Sequence, residues 1–147
     1  MAERTVLQSI QGQRILVTAA PHTTVVEAAC IMTRAGCGSI LVTEVDGSLS
    51  GILTERDLMT RVLAKARDPA KTAVAEVMTR HPYCVGPEMP VSEAVVIMIE
   101  RGFRHLPIVS KDTKIMGVFS VRDALPREID AAESLAEFRD QMNDALG

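Results

Sequence analysis

Gly51-Ile52-Leu53-Thr54-Glu55-Arg56-Asp57 and Gly117-Val118-Phe119-Ser120-Val121-Arg122-Asp123 follow one pattern: glycine, two apolar residues, a hydroxyl residue, a variable residue, arginine, aspartate. The stretches lie 66 positions apart, and at that offset residues 21–58 overlie 87–124 without a gap. Eleven of the 38 aligned positions are identical: Pro21/Pro87, Val25/Val91, Glu27/Glu93, Ala28/Ala94, Ile31/Ile97, Met32/Met98, Gly36/Gly102, Asp46/Asp112, Gly51/Gly117, Arg56/Arg122 and Asp57/Asp123. Ile40/Leu106, Val42/Ile108 and Thr54/Ser120 are conservative pairs. The period is too long for a solenoid repeat and occurs only twice, which predicts two half-domains packed about a pseudo-twofold axis.

Outward from the motif, the two copies read alike. Val25–Ala35 and Val91–Arg101 carry apolar residues at helical spacing. Thr24-Val25-Val26-Glu27 has capping-box form, Pro90 stands where a first-turn proline is tolerated, and Gly36 and Gly102 stand where helices end. Ser39–Val45 and His105–Val109 are apolar runs of strand length. The polar turns Asp46-Gly47-Ser48 and Lys111-Asp112-Thr113-Lys114 lead into second strands, Leu49–Leu53 and Ile115–Phe119. A helix then runs from Thr54 towards Ala66, and a shorter one from Ser120 is stopped by Pro126. Short strands at Ile15–Thr18 and Tyr83–Val85 precede the two units. The prediction is an α/β (α+β) fold of two β-α-β-β-α repeats, residues 10–66 and 76–126, with a connector at 67–75 where Asp68-Pro69 breaks the helix. Residues 127–147 supply a C-terminal helix, Glu128–Leu146, whose Ile129, Ala132, Leu135, Phe138 and Met142 form one stripe. That stripe must be covered by the body or by another subunit.

Composition narrows the function. The 147 residues are 47% hydrophobic and 24% charged, as in ordinary globular proteins. Aromatic residues make up only 3% (Tyr83, Phe103, Phe119 and Phe138), so the core must be aliphatic. That poverty weighs against a stacking platform for single-stranded nucleic acid, and the net charge of −3 lacks the basic surplus that phosphate backbones attract. No apolar run reaches membrane-spanning length, and no leader is visible behind Met1. The three cysteines, Cys30, Cys37 and Cys84, are odd in number and show no C-x-x-C pair. They are expected as small apolar fillers in a cytoplasmic protein.

The repeated motif lies at a strand-to-helix junction, where free N–H groups and the positive end of the helix dipole favour an anion. The hydroxyl of Thr54 or Ser120 can bond a phosphate oxygen, and Arg56 or Arg122 offers a multi-donor fork. Asp57 or Asp123 can accept both hydroxyls of a ribose, so the set suits a ribose phosphate. The competing reading is plain N-capping, with the hydroxyl as cap and the aspartate in the first turn. Capping does not require the paired Arg56 and Arg122, nor Gly51 and Gly117.

These paired motifs, with the β-α-β-β-α repeat, resemble the tandem CBS domain family, named after cystathionine β-synthase. The resemblance covers about residues 10–126 and includes Val77-Met78-Thr79, Pro87 with Val91-x-Glu93-Ala94, and Arg104-His105-Leu106-Pro107-Ile108-Val109. It implies a stand-alone module without catalysis or obligatory cofactor. Such a module binds AMP, ADP, ATP, NAD or S-adenosylmethionine in clefts between two repeats. Carried over, Asp57 and Asp123 hold ribose, Thr54 and Ser120 hold phosphate, the strand backbone at Leu106 and Pro107 frames adenine, and Thr79 lies near the base. The first copy departs from the second, with Gly12-Gln13 in place of Met78-Thr79 and Gly38-Ser39-Ile40-Leu41 in place of Arg104-His105-Leu106-Pro107. Two unequal sites are therefore expected. The family also implies a homodimer and an unnamed target protein. The alternative is an interaction module with vestigial clefts.

The remaining candidates are weaker. His105 can contact phosphate or sense pH, or hold a structural hydrogen bond at its strand end. His22 and His81 lie beside prolines and are expected at the surface. No histidine–cysteine–aspartate set has zinc spacing, no nucleophile–base pair is evident, and no Walker loop is present. Met32 and Met98 read as core, and Glu27 and Glu93 as first-turn caps.

Overall fold

The structure, a computed structural model, describes residues 2–12 and 15–146. The chain forms two compact units: Ile15–Pro82, and Met1–Arg14 together with Tyr83–Gly147. Mixed sheets and helices, two repeats and a terminal helix match the expected fold class.

In the first unit, β1 (Thr18–Ala19) leads to α2 (Val25–Ala35), the hairpin β2 (Ser39–Thr43) and β3 (Leu49–Thr54), and a helix. That helix opens as α3 (Glu55–Asp57) and widens into a π-helical stretch over Leu58–Leu63. Then come α4 (Val74–Val77) and β4 (Thr79–Arg80). The sheet order is β1-β2-β3-β4, parallel at the first pair and antiparallel at the others. α2 starts where Thr24 Oγ1 accepts the Glu27 N–H at 3.2 Å and Glu27 answers the Thr24 N–H at 3.4 Å, the predicted capping box. It ends at Gly36, whose φ of +67° is costly for any residue with a Cβ. Val25, Ala28 and Met32 face a core shared with Ile40, Val42, Leu53, Val62, Val74 and Val77.

The second unit repeats this plan with fewer strands. α1 (Val6–Ser9) comes from the N-terminal segment. α5 (Val91–Arg101), β5 (His105–Val109) and β6 (Ile115–Ser120) follow, then a 3₁₀ turn (Val121–Asp123) and α6 (Pro126–Leu146). The expected strand at Tyr83–Val85 is a single bridge, Val85 to Ile108, with Val85 N–H donating to Pro107 O at 2.9 Å. Pro126 opens the last helix, a position where its missing N–H costs nothing. The core joins Val6, Val91, Ala94, Val95, Val96, Leu106, Ile108, Phe119 and Ala132.

The compact units do not coincide with the two consecutive repeats. Residues that precede the second repeat in sequence dock on the first unit, through Val74 N–H to Thr23 O (2.8 Å) and Ala75 N–H to Pro21 O (3.1 Å). The N-terminal segment does the same for the second unit, through Val6 N–H to Met89 O (2.8 Å) and Leu7 N–H to Pro87 O (3.2 Å). α1 and α4 are thus equivalent turns, neither of which the sequence reading contained.

Other expectations shift in detail. β2 ends at Thr43, and Val45 lies fully in solvent beyond it. None of the three cysteines is buried, so none is a core filler. Partial desolvation by its surroundings still raises the Cys84 thiol above its usual value. The α6 stripe splits: Ala132 is buried and Ile129 and Leu135 are half-buried, whereas Phe138 and Met142 are exposed.

Candidate functional site

In the first motif β3 delivers Thr54 to the start of α3, and the chain turns so that Asp57 folds back beneath it. Thr54 N–H donates to Asp57 Oδ2 at 3.0 Å. The Thr54 hydroxyl lies 3.2 Å from the same oxygen and accepts the Asp57 N–H at 3.3 Å. Asp57 is buried, at 6% exposure, and a buried carboxylate needs such donors. Its second oxygen, Oδ1, is held more loosely, by the Thr79 hydroxyl at 3.4 Å and by Arg61 Nε at 3.6 Å.

The second motif forms the same loop. Ser120 N–H donates to Asp123 Oδ2 at 2.8 Å, and Ser120 Oγ accepts the Arg122 N–H at 3.1 Å. Asp123 is half-buried, so the two motifs differ in exposure. Arg56 and Arg122 are both exposed. The first N–H of each turn is already bonded: Glu55 N–H to Gly38 O at 3.0 Å and Val121 N–H to Arg104 O at 3.4 Å. The free helix-end donors expected to meet an anion are therefore partly spent on the fold.

The glycines have a structural cause that the sequence reading did not supply. Gly51 opposes Val42 and Gly117 opposes Ile108, and each hairpin slips register just after that partner. A Cβ on Gly51 would also lie 2.6 Å from Met78 Sδ and 2.7 Å from Thr79 O. Gly51 is what lets β4 approach β3, and this brings Thr79 to Asp57.

The remaining candidates are placed as follows. Leu106 is fully buried and Pro107 buried, so the Leu106 side chain belongs to the core and Pro107 O accepts the Val85 N–H. His105 is half-buried at the head of β5, and Arg104 is exposed. His22 and His81 lie at the surface as expected, and Met32 and Met98 are core. Gln13, the first-copy counterpart of Thr79, lies outside the described residues. Among the described residues there is no acidic or histidine–cysteine cluster able to hold a metal, and no helix long and apolar enough to cross a membrane.

Two arginines missed in the sequence complete the motifs. Arg61, four residues beyond Asp57, also donates from Nη1 to the carbonyls of Val77 (3.3 Å) and Met78 (2.9 Å). Its i,i+4 spacing from Asp57 was a usable signal. Arg4 binds the Asp123 carbonyl from Nη2 at 2.7 Å and grips Glu128 with Nη2 at 2.7 Å and Nε at 3.3 Å. No local pattern links residues 124 positions apart. Burial pushes the Glu128 carboxyl upward, but the Arg4 bonds, the Leu125 N–H and the charges of Arg4 and Arg127 outweigh it and leave it below its ordinary value.

A depressed carboxyl stabilises the fold above its unfolded pKa and loses that contribution as pH falls through the folded value. Glu128→Gln is therefore expected to cost about 2 kcal/mol at pH 7. The gap from wild type should shrink once pH drops below the ordinary glutamate value of 4.5. Urea denaturation at pH 7 and pH 3 checks this, and a gap that stays constant refutes it.

The family model of the CBS domain matches residues 12–64 and 74–130. An uncharacterized protein of Methanopyrus kandleri is 33% identical over 117 residues, covering 80% of this chain and 60% of that protein. A CBS domain-containing protein of Arabidopsis thaliana is 35% identical over 115 residues, 78% of this chain but only 21% of its own length. The chain thus spans less than two thirds of these relatives. Among solved structures, a protein with CBS domains from Burkholderia ambifaria is similar at 31% identity and TM-score 0.76, covering 82% of this chain and 90% of that one. A CBS domain protein of Pyrobaculum aerophilum, complexed with AMP, shares the fold at 24% identity and TM-score 0.76, covering 86% and 95%.

Proposed function

The chain belongs to the CBS domain family, and from that premise we propose that it is a non-catalytic regulatory module binding an adenosine-containing ligand at its two strand-to-helix motifs. The observation that carries this is the twofold recurrence of one loop: a hydroxyl cap, an aspartate folded onto the cap N–H, and an exposed arginine between them in sequence. A capping aspartate is by itself only structural. Here both copies also place an exposed arginine beside the cap, and its guanidinium fork suits a phosphate. In the first motif the contacts of Asp57 Oδ1 with Thr79 and Arg61 are long, at 3.4 and 3.6 Å, and a ribose hydroxyl can displace them. Thr54 and Ser120 serve the phosphate side, with Thr79 near the base of the first motif and His105, Leu106 and Pro107 along the second.

The expected ligands are AMP, ADP, ATP, NAD or S-adenosylmethionine, and the difference in burial between Asp57 and Asp123 makes the two sites unequal. Titration calorimetry tests this on wild type, Asp57→Asn, Asp123→Asn and the double variant. Asparagine keeps an oxygen for the cap but removes the charge. Each single change should weaken one site about tenfold or more, the factor that losing a charge-assisted bond brings, and the double change should weaken both. Tight binding undiminished in the double variant overturns the assignment.

A second reading has its own support: both aspartates are already used as caps, as an interaction module with vestigial sites requires. Thermal shift separates the two. A ligand that binds only the folded chain raises the melting temperature, by an amount equivalent to about 2.7 kcal/mol at a hundred times its Kd. No shift with any of these ligands favours the interaction module. In either case the exposed Phe138, Met142 and Leu146 of α6 suit self-association as a homodimer, which light scattering at micromolar concentration checks.

A further inference from the structure

Each unit ties its motif to the docked segment with one arginine, and the two ties run in opposite directions. In the first unit Arg61 stands on the helix after the motif, and holds the Asp57 carboxylate and the Val77 and Met78 carbonyls of the docked segment. In the second unit Arg4 stands on the docked segment itself. It holds the Asp123 carbonyl of the motif and, with two bonds, the Glu128 carboxylate on the first turn of α6. Glu128 is buried and also caps that turn, accepting the Leu125 N–H at 2.7 Å. Arg4 O accepts the Val91 N–H at 2.9 Å, and Val6, two residues on, is buried in one core with Val91. The N-terminal segment and the Asp123–Glu128 stretch, more than a hundred residues apart in sequence, thus meet at one guanidinium.

We propose that Arg4 is a positioning residue that locks the N-terminal turn, the Ser120–Asp123 motif and the start of α6 into one cooperative element, so that a ligand on the second motif is felt along α6. The physical reason is geometric. The planar fork satisfies a carbonyl and a carboxylate together, and loosening any one segment leaves the charge of Glu128 or the Asp123 carbonyl short of donors in a half-buried place. Segments bound this way open together, as a single unit in hydrogen exchange. By linkage, a ligand that prefers the closed motif then protects α6. The last step rests on the adenine-ligand reading; the lock itself does not.

Hydrogen exchange on the full chain tests the lock without ligand. In wild type, amides of residues 6–9, 120–123 and 128–136 are expected to open with matching protection. In Arg4→Gln all three should lose about tenfold or more together, the cost of a lost charge-assisted bond, and Arg4→Lys, which keeps charge but not the fork, should fall between. Loss confined to one segment, or unmatched protection in wild type, overturns the proposal. AMP is then added. It should slow exchange across residues 128–136 in wild type but not in Arg4→Gln. Calorimetry on the same wild-type sample separates the failures: no AMP heat rejects the ligand reading while the ligand-free arm still decides the lock, and AMP heat without α6 protection rejects the coupling alone.

Discussion

Replacing Phe119 with alanine is expected to destabilise the second unit by about 4 kcal/mol. Phe119 is fully buried, the largest side chain in that state, and packs with Val6, Val95, Leu106, Ile108 and Ala132. Few aromatic residues are available to fill this core, so truncation leaves a cavity that aliphatic neighbours cannot close. Against a total stability of about 5–15 kcal/mol, the loss is large. Urea denaturation followed by far-ultraviolet circular dichroism measures it. The near-ultraviolet signal of Tyr83, the chain's single tyrosine, reports on the same unit. Phe119→Leu, which nearly conserves volume, should cost less than about 1.5 kcal/mol. An alanine variant within about 1 kcal/mol of wild type would contradict the packing described. Because Phe119 immediately precedes Ser120, the alanine variant should also weaken any ligand held by the second motif.

Gly51→Ala is expected to cost about 3 kcal/mol, at the upper end for overpacking. The new methyl would meet Met78 Sδ at 2.6 Å and Thr79 O at 2.7 Å, and the second of these is backbone that cannot swing aside. β4 must then move off β3, which carries Thr79 away from Asp57. Stability and binding at the first motif should therefore fall together. Gly86→Ala, with nothing within 4 Å of the added carbon, is the matched control and should stay within about 0.5 kcal/mol of wild type. Thermal melts of the two variants, with calorimetry on whichever adenosine ligand binds wild type, decide the matter. Equal melting temperatures would sink the steric argument.

Gly51 also shows how far a motif can be read. As part of a repeated Gly-x-x-hydroxyl-x-Arg-Asp pattern it looked like a mark of ligand chemistry beyond capping. Its cause is a register slip shared with Gly117 and the close approach of β4. The hydroxyl and the aspartate followed local rules and were placed as capping predicts: each aspartate accepts the cap N–H, and each hydroxyl accepts an N–H of the first turn. What the pattern concealed was the supply of further donors: Arg61 comes from the next turn of the same helix, and Thr79 and Arg4 reach the motifs from other segments.

The amino-acid order alone determined the repeat, the bounds of α2 and α5 and the β5 strand, and the caps at Thr24, Gly36 and Gly102. These depend on apolar spacing and on side chains bonding N–H groups within a turn, and both are written within a few residues. Tertiary structure decided which segment joins which unit. Residues 74–80 pair with the first repeat and residues 4–9 with the second, through bonds such as Val74 N–H to Thr23 O and Val6 N–H to Met89 O. Those bonds satisfy backbone groups that each repeat leaves open at the entrance to its helix. Local periodicity carries no record of which distant strand or turn will close them. The meeting of Arg4, Asp123 and Glu128 has the same origin, because only the packed chain brings one guanidinium to a carbonyl and a carboxylate more than a hundred residues away.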